Sequence, residues 1–90
     1  MRRFVNDDMG YVAWLEAHPT GFVLNTNLHI KPDYMILHRA SCRSINRQLP
    51  PGSLWTSPYV KTCSDRREEI EAYARAETGG EVWPHAYCMR

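Results

Sequence analysis

Two short His/Cys spacings restrict this chain most: His38-x3-Cys42 in its middle and His85-x2-Cys88 in its tail. One backbone turn can deliver both side chains of such a pair to a single point. Zinc favours four thiolate or imidazole ligands in a tetrahedron, and two pairs complete that set. If both pairs serve one ion, the tail must return to the middle of the chain and pack there.

The cysteine count narrows the chemistry. Cys42, Cys63 and Cys88 cannot all pair within one chain. The basic Arg2-Arg3 is followed by Asp7-Asp8 and not by an apolar stretch, unlike a secretory signal. No run approaches the roughly 18 apolar residues of a membrane span. The expected setting is a reducing cytoplasm, where cysteines serve as thiols or metal ligands. The favoured zinc set is His38, Cys42, His85 and Cys88. Cys63, at the end of an expected strand, can replace His85 to give a three-Cys, one-His site, and residue types alone do not choose. Two other uses stand beside zinc: the cysteines as buried small hydrophobes with incidental histidines, or one of them as a reactive thiol.

A chain of 90 residues has room for one domain, residues 1–90, whose folding removes roughly 60–65% of the unfolded chain's surface. At 43% hydrophobic and 23% charged residues the composition is that of a globular domain and excludes a disordered or fibrous chain. A net charge of +1 carries no argument for a polyanionic partner, so any such argument rests on local clustering.

Met9, Val12, Trp14 and Leu15 recur at near-helical spacing after the capping residues Asn6 and Asp7, which predicts a helix ending by His18, before Pro19. Phe22-Val23-Leu24 and Tyr34-Met35-Ile36-Leu37-His38 read as strands of a hairpin, and Tyr59-Val60-Lys61-Thr62-Cys63 as a third strand. Between them, residues 39–47 read as a tight turn with one or two helical turns, broken by Pro50-Pro51-Gly52. Asp65 with Glu68 resembles a capping box for a second helix along Ile70, Tyr73, Ala74 and Glu77, stopped by Gly79-Gly80. The aromatic tail, residues 81–90, is expected to pack back onto the body. The expected fold is α+β: a small three-stranded antiparallel sheet, two helices and a zinc-knuckle-like site.

The stretches Gly21-Phe22-Val23-Leu24-Asn25, Leu37-His38-Arg39-Ala40-Ser41-Cys42 and Tyr59-Val60-Lys61-Thr62-Cys63 resemble a group of small uncharacterised bacterial domains ending in a Cys-x2-Cys pair. The His-x3-Cys followed by a terminal pair is similar to short Ada-like metal-binding modules. The resemblance spans most of the chain and implies a metal site but no particular activity. His85 stands where that group has cysteine, which keeps a ligand type and changes the donor set.

Arg39, Arg43 and Arg47 fall at intervals of four, so a helical segment would present them on one face beside the knuckle, suited to phosphates. Lys61 extends this patch in sequence, together with Arg66 and Arg67, and Trp55 is the aromatic best placed to stack on a base. The expected role is a zinc-stabilised binding module that contacts nucleic acid through this face. A solvated face with its charges paired to Glu68, Glu69 and Glu71 is the plain alternative. A protein-interaction or inhibitor module of a phage or bacterial system is the other binding role. A small nuclease or Cys/His enzyme would use Cys42 with His38, or His38 with Arg39, but neither pair has a recognisable third member.

Overall fold

The elements follow from where apolar residues alternate and where the chain is punctuated. In a computed structural model, which describes residues 1–89, they run β1 (Arg2–Phe4), α1 (Asp8–Ala17), β2 (Phe22–Thr26), β3 (Met35–Arg39), β4 (Val60–Ser64), α2 (Arg67–Thr78) and β5 (Trp83–Pro84). Arg90, the last residue of the expected tail, lies outside the described residues.

The expected three-stranded antiparallel sheet is corrected to a five-stranded mixed one in the order β1-β4-β2-β3-β5. The expected hairpin forms as β2 against β3, and β4 pairs antiparallel with β2. The two added strands lie at the edges. In β1, two arginines and one phenylalanine give no legible alternation, yet Arg2 pairs with Cys63 and Phe4 with Lys61. In β5, Pro84 lacks a donor, which an edge position tolerates, and Trp83-Pro84 runs parallel to β3 opposite Ile36 and Leu37. The His85 amide continues that ladder by donating to Leu37 O at 2.8 Å.

Register divides the sheet into two faces. Cys63, Val23 and His38 share one cross-strand row, and Thr62, Leu24 and Leu37 share the adjacent row on the opposite face. α1 buries Tyr11, Trp14 and Leu15 against Phe4, Val23 and Cys63, while α2 buries Ile70 and Ala74 against Leu24, Met35 and Leu37. The helices therefore sandwich the sheet, with His38 on the α1 face. Each fully buried Val, Leu, Ile or Met side chain of these clusters is worth roughly 1.5–3 kcal/mol of transfer free energy.

The caps show which local signals act. Asp7 caps α1 as expected, its carboxylate accepting from the Gly10 amide at 2.9 Å. At α2 the expected Asp65/Glu68 box does not form. Ser64 Oγ instead accepts from the Arg66 amide at 3.0 Å and donates to Glu69 at 2.8 Å, while Asp65 turns away to His18 at 2.9 Å. Gly79, at φ 74°, ends α2 in the left-handed conformation that glycine adopts without steric cost.

The segment after β3 turns repeatedly but forms no helix. Its carbonyls are taken by side chains: Asn46 Nδ2 donates to Ala40 O at 2.8 Å, Tyr11 Oη to Ile45 O at 2.6 Å, and Arg47 Nη1 to Arg43 O at 2.8 Å. With these acceptors occupied, i→i+3 turns replace an i→i+4 ladder.

Candidate metal centre

Each residue of the cluster reaches the same point by a different route. β3 delivers His38, which is 4% exposed. The chain then turns, the Cys42 amide donating to Arg39 O at 2.9 Å, and places Cys42 at 6% exposure on the α1-side core. From the tail, the parallel ladder places His85 beside His38, their rings 4.6 Å apart. A turn closed by the Met89 amide on His85 O at 2.9 Å brings Cys88 back.

One ligand atom from each of His38, Cys42, His85 and Cys88 lies within 4.8 Å of all the others. Cys42 Sγ is 3.7 Å and Cys88 Sγ 3.6 Å from His85 Nδ1, and Cys88 Sγ is 3.9 Å from His38 Nδ1. A tetrahedron with metal–sulfur distances near 2.3 Å and metal–nitrogen distances of 2.0–2.1 Å has edges of roughly 3.3–3.8 Å. These four residues can hold a metal ion.

The electrostatics suit ligation. Burial, reinforced by neighbouring His85, holds His38 down at about 4, so its imidazole is neutral at pH 7, the form that donates a lone pair. Burial, with Cys42 beside it, pushes the Cys88 thiol up to about 11. Without a cation this sulfur keeps its proton and is a poor nucleophile; a divalent ion reverses the preference and takes the thiolate.

Arg39 supports the tail turn. Its Nε donates to Cys88 O at 2.8 Å and its guanidinium lies 5.7 Å from the centre of the Phe22 ring. Sequence reasoning assigned Arg39 to a ligand-binding face and missed this contact, for which the sequence carries no local signal.

Cys63 stands apart from the cluster. In the row Cys63–Val23–His38 it is two strands away from His38, roughly 10 Å at 4.7–4.9 Å per strand. All three cysteines are free. Cys63 is fully buried in the α1-side core, where burial pushes its thiol up to about 12.

The expected basic residues separate. Arg43 and Arg47 are exposed on the turns after Cys42, and Arg47 lies over the half-buried Trp55, 5.4 Å from its ring centre. Lys61 is only 3% exposed, because strand alternation places it on the same face as Cys63. Its Nζ donates to Asn25 Oδ1 and Trp55 O, each at 2.7 Å. It belongs to the interior and not to an exposed basic face.

Burial lowers the Lys61 ammonium from its ordinary 10.5 to about 8, against the favourable charge of Asp8. Between about 8 and 10.5 the unfolded chain therefore holds a proton that the folded chain has released, and Lys61 makes stability rise with pH. The rise is at most about 1.4 kcal/mol per pH unit. Urea titrations across this window should show a flatter profile for Lys61→Met than for the parent chain, whatever the variant's absolute stability. Superimposable slopes would mean that the ammonium is not desolvated.

No family model, curated protein or solved structure matches this chain.

Proposed function

We propose that the chain is a small zinc-stabilised binding module, in which Zn²⁺ on His38, Cys42, His85 and Cys88 clamps the tail to the sheet beside a nucleic-acid contact surface. The observation that carries this reading is the spacing of the four ligand atoms, all within 4.8 Å. Two sulfur and two imidazole donors in a tetrahedral arrangement favour zinc. Four protein ligands fill the tetrahedron and leave no open position for a substrate or activated water, which makes the ion structural. The same ligation occupies His38 and Cys42 and removes them from acid, base or nucleophile roles.

The distribution of ion pairs supports the nucleic-acid part. On and around α2, Arg66 pairs with Glu68, Arg67 with Glu71 and Arg75 with Glu81. Among the described residues no ion pair involves Arg39, Arg43 or Arg47. Arg43 and Arg47, exposed on the turns after Cys42, are thus without a carboxylate partner among the described residues, a condition they share with Arg2, Arg3 and Lys31, and guanidinium groups match phosphate geometry.

Protein purified without added zinc is expected to contain about one zinc per chain. Binding to a nucleic acid should weaken as salt rises, with a log–log slope of roughly 0.7–0.9 per phosphate contact. Arg43→Ala and Arg47→Ala should each lower that slope by about one contact's worth. Binding that does not respond to salt, or no binding at low salt, would remove the nucleic-acid reading and leave the metal site standing.

A further inference from the structure

The α1 face of the sheet is only partly covered. α1 and the turns after β3 pack on Phe4, Val23, Cys63 and Cys42. The adjacent row, Lys61–Asn25–Ile36–Trp83, runs across β4, β2, β3 and β5, and strand alternation carries the same face on to Tyr34 and Tyr59. Here Trp83 is 55% and Tyr59 42% exposed, and Tyr34, Ile36 and Asn25 are half-buried. Tyr34 and Tyr59 hold their rings 5.5 Å apart, and Tyr34 Oη accepts from Asn25 Nδ2 at 3.1 Å. Three rings thus border water on this sheet face, and Tyr34 among them is tied to Asn25, which in turn accepts from Lys61.

Exposed rings grouped in this way mark a binding surface, and the charge around them restricts its occupant. Arg43 and Arg47 flank the covered part of this face without a carboxylate partner among the described residues. Of the carboxylates around it, Asp8 is engaged by the Trp55 and Thr56 amides at 2.7 and 2.8 Å and Glu81 by Arg75, while Glu16 shares a cavity with Arg47 and Asp33 precedes Tyr34. Addition of a partner strand at the edge beside Trp83 is disfavoured, because β5 has two residues and one is proline. A ligand with planar rings on an anionic backbone meets both the aromatic and the basic features.

We propose that Tyr34, Tyr59 and Trp83 stack the bases of a single-stranded nucleic acid whose phosphates meet Arg43 and Arg47. The inference rests on the nucleic-acid reading above and narrows it to single strands, since paired bases stack on each other and cannot lie flat on protein rings.

Fluorescence anisotropy with labelled oligothymidylate, labelled oligouridylate and a labelled mixed-sequence duplex, at low salt on the metal-loaded chain, tests it. Both single strands should bind more tightly than the duplex. Trp83→Ala and Tyr59→Ala should each weaken single-strand binding at least about fivefold, the lower end of one base–aromatic stack. Trp83→Phe and Tyr59→Phe, which keep a ring, should stay within about twofold of the parent and show that ring loss, not a disturbed tail, is responsible. Duplex bound as tightly as single strands, or alanine variants that bind like the parent, would overturn the stacking surface while leaving phosphate contact intact. No binding to any of the three would overturn both.

Discussion

Chelating the Zn²⁺ proposed at His38, Cys42, His85 and Cys88 is expected to melt this chain at a far lower temperature. The reason is that the ion would join the tail to the sheet at one point through strong bonds. β5 has two residues, and the weaker contacts that hold the tail include the His85 amide on Leu37 O, the Arg39 contact to Cys88 O, the Glu81–Arg75 ion pair and the packing of Val82 and Met89 on the α2-side core. Apparent zinc-binding energies in small structural sites are about 10–16 kcal/mol, against whole-domain stabilities of about 5–15 kcal/mol. Losing even ~4 kcal/mol lowers the melting temperature of a domain this size by about 15–30 °C. Thermal melts followed by circular dichroism, with and without chelator, measure this directly, and coincident curves would sink the metal site.

Ligand variants separate loss of metal from damage to the core. Cys42→Ser and Cys88→Ser should each abolish stoichiometric zinc and reproduce the chelated melt. Cys63→Ser is the control, because Cys63 is fully buried in the same cluster as Cys42 but lies two strands from His38. It should keep its zinc and lose only roughly 1–3 kcal/mol, the cost of a poorly satisfied buried hydroxyl. If all three variants lose zinc equally, the effect is one of folding and the assignment of ligands fails.

Local patterns were legible and non-local ones were not. Bulky runs announced β2, β3 and β4, Asp7 announced the start of α1, and Gly79 the end of α2, since each signal lies within a few residues of its effect. The edge strands were hidden because Arg2-Arg3-Phe4 and Trp83-Pro84 gain their pairing from distant partners. Both His/Cys pairs were visible as local spacings, and the parallel contact of β5 with β3 is what brings them together. The intervals of four among Arg39, Arg43 and Arg47 suggested a helix that does not form, because side chains from Asn46, Tyr11 and Arg47 capture the carbonyls it would need. The interior place of Lys61 could have been read from parity: in a strand, residues 61 and 63 share a face, and a strand cysteine favours the core.

Tyr11→Ala is expected to be the most damaging single core substitution away from the ligands, at about 3–5 kcal/mol. Tyr11 is fully buried, meets the edges of Phe4 and Trp55 at 6.0 and 6.2 Å, and donates from Oη to Ile45 O at 2.6 Å. It thereby ties α1 to the turns that carry Cys42, Arg43 and Arg47, where the Ile45 amide in turn donates to Cys42 O at 3.0 Å. Burial raises the phenol well above its ordinary value, so it stays protonated and remains a donor through the alkaline range. Tyr11→Phe isolates the hydroxyl: packing is kept, Ile45 O loses its donor, and roughly 1–3 kcal/mol of stability goes with it. Melts and zinc content of the two variants decide between two ways of holding the turns. If Tyr11→Phe melts well below the parent with its zinc retained, the hydrogen bond fixes them. If it melts with the parent while Tyr11→Ala does not, apolar packing alone positions Cys42 and the arginines beside it.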